Sequence, residues 1–292
     1  MYSYLLYGLK FLSDIPLFNI PQSFSTDFSS DIIIKSDHFH NEIIPKKPGI
    51  NIKTDYAVVR FLYGIIKINS GKEILYAIED GYSAEQVTPY IMGWGMSFIL
   101  SQRGYSAFHC SALTINNNCF FVSGVSGAGK STTALELIKH GCKYLCDDIA
   151  IVDSYDNMLV PPAFPIQKVC PDVSLNLEQN SLYSITGDRG KYSYLNVRDF
   201  CDTPTKLTFF FQIILSDGDS IEITEVTGIQ KYLKVMENLF LMVQYSYFSI
   251  PEEEKFRCLK IAGNIRFFTI SRPKSKNTLD EITNTILKIL TD

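Results

Sequence analysis

The sequence Gly124-Val-Ser-Gly-Ala-Gly-Lys-Ser131 decides the fold, because it fits the pattern G-x-x-x-x-G-K-S/T without a gap. An apolar run from Cys119 to Val122 precedes it, and an amphipathic run from Lys130 to His140 follows it. A strand, a glycine-rich loop and a helix in this order point backbone N–H groups and the positive helix end into one concavity. The stretch therefore predicts a phosphate-binding loop in an α/β fold.

The loop also predicts how ATP and Mg²⁺ would be held. Lys130 would bridge the β- and γ-phosphates, and the Ser131 hydroxyl would bind Mg²⁺. The predicted ATP-binding residues are Gly124, Ser126, Gly127, Ala128, Gly129, Lys130, Ser131 and Thr132. The loop alone does not name a reaction, because ATPases, GTPases and kinases share it.

Two adjacent carboxylates, Asp147 and Asp148, interrupt the next apolar run, from Tyr144 to Val152. In such folds this strand lies beside the loop strand, so we expect both carboxylates near the Mg²⁺ and the γ-phosphate. One carboxylate can serve the metal while the other takes a proton from an attacking hydroxyl. The pair favours a kinase over a non-catalytic nucleotide-binding switch, because a switch needs the loop but no base.

The order of these motifs resembles the catalytic domain of the bacterial HPr kinase/phosphorylase family. The matching pieces are His109-Cys-Ser-Ala-Leu113, a short hairpin, the loop from Gly124 to Ser131, and Tyr144-Leu-Cys-Asp-Asp148. The resemblance is strong over residues 103 to 152 and weaker elsewhere. It implies that Asp147 is the proton-transferring acid, that Asp148 is its metal-associated neighbour, and that His109 lies close to the catalytic acid. The catalytic residues expected from motif and resemblance together are Asp147, His109 and Lys130, with Ser131 and Asp148 on the metal.

The resemblance also implies a fold and an activity. The fold is an α/β P-loop core of the HPr kinase and phosphoenolpyruvate carboxykinase type with a mixed sheet, and the reaction transfers the ATP γ-phosphate to a protein serine. The glycine- and isoleucine-rich signature of the bifunctional enzymes is absent after the acidic pair, where Val160-Pro-Pro-Ala-Phe-Pro165 stands instead. The chain therefore looks closest to stand-alone HPr-kinase-like proteins such as lasso-peptide precursor kinases. A peptide or small protein carrying a serine is the expected acceptor. A small-molecule kinase acting on an amino acid or sugar, a nucleotide-binding switch and a carboxykinase-like enzyme are the alternatives.

Composition limits the partners and the location. The 292 residues carry a formal net charge of −4, which gives no overall basic field for nucleic acid or an anionic membrane. No apolar run reaches about 18 residues, so we expect no membrane span, and Met1 to Asp14 is interpreted as a strand. Seven scattered cysteines are typical of reduced thiols in a cytoplasmic protein rather than of a disulfide framework.

Pattern changes along the chain predict two regions. Residues 1–100 are expected to be a β-rich region for acceptor binding or assembly, with a homo-oligomer left open, and residues 101–292 the kinase domain. The predicted strands are Tyr2 to Lys10, Asp31 to Lys35, Ala57 to Lys67, Cys110 to Ile115, Leu207 to Leu215, Ser220 to Val226 and Arg266 to Ile270. The other predicted helices are Ser83 to Gln102, Gly228 to Gln244, Glu252 to Asn264 and Leu279 to Leu290.

Basic residues outside the motifs are weaker candidates for contacts with phosphate or acceptor. Arg189 and Lys191 lie in a polar, glycine-bounded stretch, and Arg272 follows a predicted strand. Any of the three could reach a phosphate, although a solvated surface is the default for such residues. The segment Pro161 to Pro165 is interpreted mainly as a structural loop.

Overall fold

The computed structural model describes residues 1–17, 20–22, 29–39, 44–53, 56–155, 157–169, 182–184, 192–242 and 249–291. The fold is mixed α/β with several sheets. The chain divides into two compact units, Met1–Tyr105 with Tyr183–Tyr192, and Ser106–Leu182 with Ser193–Asp292.

The first unit contains a seven-stranded sheet in the order β1-β2-β3-β7-β6-β5-β4. Its strands are β1 (Tyr2–Leu6), β2 (Leu9–Ser13), β3 (Ile32–Ser36), β4 (Gly49–Ile52), β5 (Tyr56–Phe61), β6 (Gly64–Asn69) and β7 (Glu73–Ile78). The pairs β2–β3 and β3–β7 are parallel, and the others are antiparallel.

Two strands predicted as continuous are hairpins instead. The run from Tyr2 to Lys10 turns at Tyr7 and Gly8, whose φ angles are 55° and 73°. The run from Ala57 to Lys67 turns before Gly64, where a Cβ would lie 2.3 Å from the Ala77 carbonyl oxygen. Apolar periodicity does not distinguish one long strand from two short ones, because both faces of this sheet bury apolar side chains.

The predicted helix from Ser83 to Gln102 is present as one helical segment. It consists of α1 (Ala84–Tyr90), a π-helical turn (Ile91–Gly95) and α2 (Met96–Gln102). The Gln86 side chain accepts a hydrogen bond from the Ser83 amide at 3.0 Å, which caps the N-terminal end of this segment. Gly104 follows with a φ of 89°, as expected for a glycine that ends a helix.

The second unit is built on a sheet in the order β11-β9-β10-β17-β19-β18, and β13 pairs with the start of β17. The strands from residue 106 onward are β8 (Ser106–Phe108), β9 (Cys110–Ile115), β10 (Asn118–Gly124), β11 (Lys143–Cys146), β12 (Ala150–Val152), β13 (Leu159–Val160), β14 (Ile166–Val169), β15 (Leu182–Ser184), β16 (Tyr192–Leu195), β17 (Thr205–Ser216), β18 (Glu222–Val226) and β19 (Arg266–Pro273). The helices are α3 (Lys130–Lys139), α4 (Gly228–Glu237), α5 (Glu252–Asn264) and α6 (Leu279–Thr291). Helix α4 ends earlier than predicted, and residues 243–244 of that prediction lie outside the described part of the chain.

Strand directions in this sheet bring distant residues to one edge. Strands β10, β17 and β19 are parallel neighbours, and β9 runs antiparallel to both β10 and β11. The C-terminal ends of β10, β11, β17 and β19 therefore meet the N-terminal end of β9 at the same edge. This edge carries Gly124, Asp147, Arg272 and His109.

Both faces of the sheet are buried, as is usual where parallel strands lie at its centre. On one face, α3 and α6 cover an apolar core that includes Phe120, Phe211 and Phe268. On the other face, Phe108, Phe121, Phe210 and Phe267 pack against one another, with one stacked ring pair and otherwise tilted or edge-to-face pairs. Each such side chain contributes about 1.5–3 kcal/mol by burial, which makes the sheet a rigid platform for its edge.

The described helices are too short or too polar to cross a membrane. The cysteines in the described ranges are free thiols, and Cys170 lies outside those ranges.

Candidate functional site

The glycine-rich loop connects the C-terminal end of β10 to the first turn of α3. Its glycines Gly124, Gly127 and Gly129 have φ angles of 146°, 84° and 102°, a region that other residues rarely adopt. At Gly124 a Cβ would lie 2.4 Å from the Ile213 carbonyl oxygen of the neighbouring strand, so no side chain fits there. The positive end of α3 and its first N–H groups therefore face the edge of the sheet, the arrangement that suits an anion.

The predicted ATP-binding residues lie together on this loop and the first turn of α3. The Lys130 ammonium donates to the Gly124 carbonyl oxygen at 2.6 Å and to that of Val125 at 3.5 Å, so it lies over the loop. Ser131 and Thr132 occupy the first helical turn and are partly exposed. Lys130 and Ser131 therefore lie next to the glycine-rich loop at this edge of the sheet.

Arg272 is brought to the loop from the far end of the chain. It stands near the end of β19, and its Nε donates to the Ala128 carbonyl oxygen at 3.0 Å. A Cβ built on Gly129 would lie 4.0 Å from its Nη2. Of the three basic candidates, Arg272 is thus next to the loop, whereas Arg189 and Lys191 lie outside the described residues.

The two carboxylates after β11 point in different directions. Asp147 is buried: its Oδ1 accepts a hydrogen bond from the Ser111 hydroxyl at 2.6 Å, and its Oδ2 accepts one from the Lys168 amide at 2.8 Å. Asp148 has a side chain 29% exposed, with Oδ1 3.2 Å from His109 Nε2 and Oδ2 2.6 Å from Lys168 Nζ. Neither carboxylate faces open solvent without a partner.

A tight turn separates the two directions. The Ile149 amide donates to the Asp147 carbonyl oxygen at 3.0 Å, and the residue between them, Asp148, has a φ of 75°. This is a γ-turn of positive φ, a rare backbone conformation that costs about 1–3 kcal/mol. Strain of this kind persists when surrounding contacts hold it, and here His109 and Lys168 hold the turn through the Asp148 carboxylate.

The surroundings shift the pKa values of the two carboxyl groups in opposite directions. Burial raises the pKa of Asp147, and the charge of Asp148 adds to this, while the Ser111 hydrogen bond opposes it. Burial also acts to raise the pKa of Asp148, but Lys168 and His109 outweigh it and hold that pKa well below its ordinary value. Asp148 is therefore the ionised member, and Asp147 is the one more ready to take a proton. Two groups driven apart in this way can serve as base and as fixed charge.

His109 contacts Asp148, the neighbour of the expected catalytic acid. The resemblance implied that it lies close to the catalytic acid, which was assigned to Asp147, but its Nε2 pairs with Asp148. The γ-turn is the reason, because it directs Asp148 toward the start of β9 while Asp147 points to Ser111. The His109 amide donates to the Asn238 carbonyl oxygen at 3.3 Å, so the segment after α4 fixes its backbone.

Asp147, Asp148, His109, Ser111 and Lys168 contact one another and are called the acidic cluster below. Two of these residues, Ser111 and Lys168, were not among the sequence candidates. Ser111 lies within the buried strand β9, two positions after His109, and Lys168 lies in β14 just after the proline segment. Polar residues inside these two short strands were the available signal, although each strand holds a second polar residue outside the site, Thr114 in β9 and Gln167 in β14. The Pro161 to Pro165 segment itself runs beside β11, since the Ala163 amide donates to the Leu145 carbonyl oxygen at 2.8 Å.

The residues of the acidic cluster could bind Mg²⁺ only together with oxygens of a phosphate group. Among the described residues, no group of three or more His, Cys, Asp or Glu side chains could hold a metal by itself. Mg²⁺ is commonly bound through one or two protein oxygens together with substrate phosphates. The ionised Asp148 carboxylate and the Ser131 hydroxyl are oxygen donors of this type.

No family model matches the chain, and no curated protein matches it. Among solved structures, the Hpr(Ser) kinase/phosphatase from Coxiella burnetii shows a distant likeness with a TM-score of 0.32 and 14% identity. The match covers 63% of this chain and 93% of that one. A likeness of this size carries no argument about function, which has to come from the residues at the sheet edge.

Proposed function

We propose that this protein is an ATP-dependent kinase that transfers the γ-phosphate to a serine hydroxyl of a peptide or small protein. The observation that carries the proposal is the meeting, at one sheet edge, of a glycine-rich loop before a helix and two carboxyl groups with oppositely shifted pKa values. A loop alone would serve any nucleotide-binding protein. The added carboxylate with a raised pKa supports phosphoryl transfer to a hydroxyl, which must lose a proton.

ATP would be held by the loop and its neighbours. The amides from Gly124 to Thr132 and the end of α3 would surround the β-phosphate, and Lys130 would leave its carbonyl partners for the β- and γ-phosphates. Arg272 would support the loop through Ala128. Ser131 and Asp148 would hold Mg²⁺, which supplies charge neutralisation on the phosphates when bound.

Asp147 is the base in this proposal. The serine oxygen forms a bond to the γ-phosphorus as the bond from that phosphorus to the bridging oxygen breaks, so ADP leaves and the serine becomes a phosphoserine. The serine proton passes to the Asp147 carboxylate. Burial supports this role because it raises the pKa of Asp147, and a more basic carboxylate takes the proton more readily.

The test is a transfer assay with γ-labelled ATP and Mg²⁺. Candidate acceptors are peptides encoded beside the gene, the HPr protein and free serine, each incubated with wild-type protein and with Asp147→Asn. Label on a serine of a peptide or protein, lost in the variant, is the expected result.

Two other results would change the proposal. Label on free serine alone would make the protein a small-molecule kinase. Tight ATP binding with no transfer to any acceptor would make it a nucleotide-dependent switch, and the kinase proposal would be withdrawn.

A further inference from the structure

Lys168 contacts both carboxylates of the acidic pair. Its backbone amide donates to Asp147 Oδ2 at 2.8 Å, and its ammonium lies 2.6 Å from Asp148 Oδ2. The two contacts come from different parts of one residue, so a side-chain substitution removes the second and keeps the first. Neither loop chemistry nor the resemblance assigns a role to this lysine.

The strand that carries Lys168 is anchored by the residues just before it. Gln167 is 3% exposed and accepts a hydrogen bond from the Asn196 side chain at 3.2 Å. The Asn196 amide in turn donates to the Pro165 carbonyl oxygen at 3.0 Å. The Lys168 side chain is only 32% exposed. It is therefore held against the carboxylate by a fixed backbone, unlike a surface lysine that samples many rotamers.

Asp148 is left with little freedom by Lys168 and His109, each of which contacts one of its two carboxylate oxygens. Lys168 lies on Oδ2 and His109 on Oδ1, and the backbone between the carboxylates is a strained γ-turn. A metal ion that approaches Asp148 meets a carboxylate whose charge is already partly neutralised. The same contacts fix the orientation of the carboxylate, because an Asp side chain without them would rotate.

We propose that Lys168 is a positioning residue that orients Asp148 and shares this carboxylate with the Mg²⁺ of the nucleotide complex. The proposal rests on the metal role given to Asp148 above. The ammonium limits how tightly Asp148 holds the metal and fixes its direction. Removal of the ammonium therefore strengthens metal binding while it weakens transfer, a combination that damage to the fold would not produce.

The experiment compares Mn²⁺ binding by wild-type protein, Lys168→Met and Lys168→Arg. Free Mn²⁺ is measured by electron paramagnetic resonance during titration of the full-length protein, with and without a non-hydrolysable ATP analogue. Lys168→Met is expected to lower the Mn²⁺ dissociation constant about fivefold, and Lys168→Arg to keep it near wild type because the charge is retained. Lys35→Met is the matched control, since it also removes an ammonium from a carboxylate, that of Glu73 at 3.3 Å, in the other unit.

Transfer assays on the same variants provide the second measurement. Lys168→Met is expected to lower kcat at least tenfold with the KM for ATP nearly unchanged, and Lys168→Arg to restore part of the loss. Unchanged or weaker Mn²⁺ binding by Lys168→Met would overturn the proposal, whether or not the wild-type protein transfers phosphate. If the wild type transfers no phosphate but the Mn²⁺ affinities change as expected, the kinase proposal fails and the role of Lys168 stands.

Discussion

The glycine-rich loop and the acidic cluster sit at the same sheet edge but are made in different ways. The loop, Gly124 to Ser131, is one contiguous stretch whose shape comes from glycine φ angles and whose expected ligand contacts are mostly backbone amides. The acidic cluster joins the side chains of Asp147 and Asp148 to residues from β9 and β14, so its contacts connect distant parts of the chain. If the protein is the kinase proposed above, changes in the loop are expected to affect ATP binding, whereas changes in the cluster are expected to affect transfer.

The largest expected effect is the loss of transfer in Asp147→Asn. Removal of a general base typically costs about 10²–10⁴-fold in rate, and we expect kcat to fall by about 10³-fold with ATP affinity within about threefold of wild type. Lys130→Met should instead weaken ATP binding more than it lowers kcat. Calorimetric ATP titration beside the transfer assay separates the two. Equal loss of ATP affinity in both variants would break the distinction between loop and cluster.

A large effect on stability is expected from Gly124→Ala. The added Cβ would meet the Ile213 carbonyl oxygen at 2.4 Å, and the φ of 146° is unfavourable for alanine. We expect a loss of about 2–4 kcal/mol in the free energy of unfolding, because backbone on both strands must shift. Urea denaturation measures it. Gly218→Ala is the control, since its Cβ would meet only Ser216 Oγ, at 3.5 Å, and it should change stability by less than about 1 kcal/mol.

A shift in pH dependence is expected from Ser111→Ala. The Ser111 hydroxyl lowers the pKa of Asp147 by donating a hydrogen bond to its carboxylate, while burial raises it. Without this hydroxyl, less opposes the effect of burial on the pKa of Asp147, so this pKa rises further. The acid limb of the kcat/KM profile should then move to higher pH, by about one unit if the bond is worth about 1.4 kcal/mol.

Ser111→Thr keeps the hydroxyl and serves as the control for this shift. It should leave the acid limb where the wild type has it. An acid limb that does not move in Ser111→Ala would mean that Asp147 is not the group that titrates in the reaction.

The smallest effect is expected from His109→Ala. The His109 side chain is 52% exposed and contacts Asp148, not the base, and Lys168 still holds the same carboxylate when His109 is absent. We expect kcat to fall by no more than about fivefold, because an exposed side-chain contact of this kind is worth about 0.2–1 kcal/mol. A loss as large as that of Asp147→Asn would show that His109 acts on the base after all.

The strands and helices of the second unit were largely predictable, because their signals are local. The strand from Cys110 to Ile115 and the helix from Glu252 to Asn264 have the predicted bounds, and α3 ends one residue early. The hairpins of the first unit were less predictable, since apolar residues fill both sides of the turns at Tyr7 and Phe61. The end of α4 at Glu237 was also missed.

The sequence by itself determined the loop, because a contiguous pattern of glycines, lysine and serine prescribes the backbone that it needs. It also determined that two carboxylates follow the next strand, but the expectation that this strand lies beside the loop strand was wrong, because β9 lies between β11 and β10. The directions of the strands account for the loop and the carboxylates lying at the same edge of the sheet. Only the tertiary structure decided which neighbour each carboxylate has. Lys168 and Ser111 reach them through strand pairing and a γ-turn, and neither long-range contacts nor the φ of Asp148 can be calculated from local spacing. The split in pKa between Asp147 and Asp148 depends on those contacts, so it too was set by the fold.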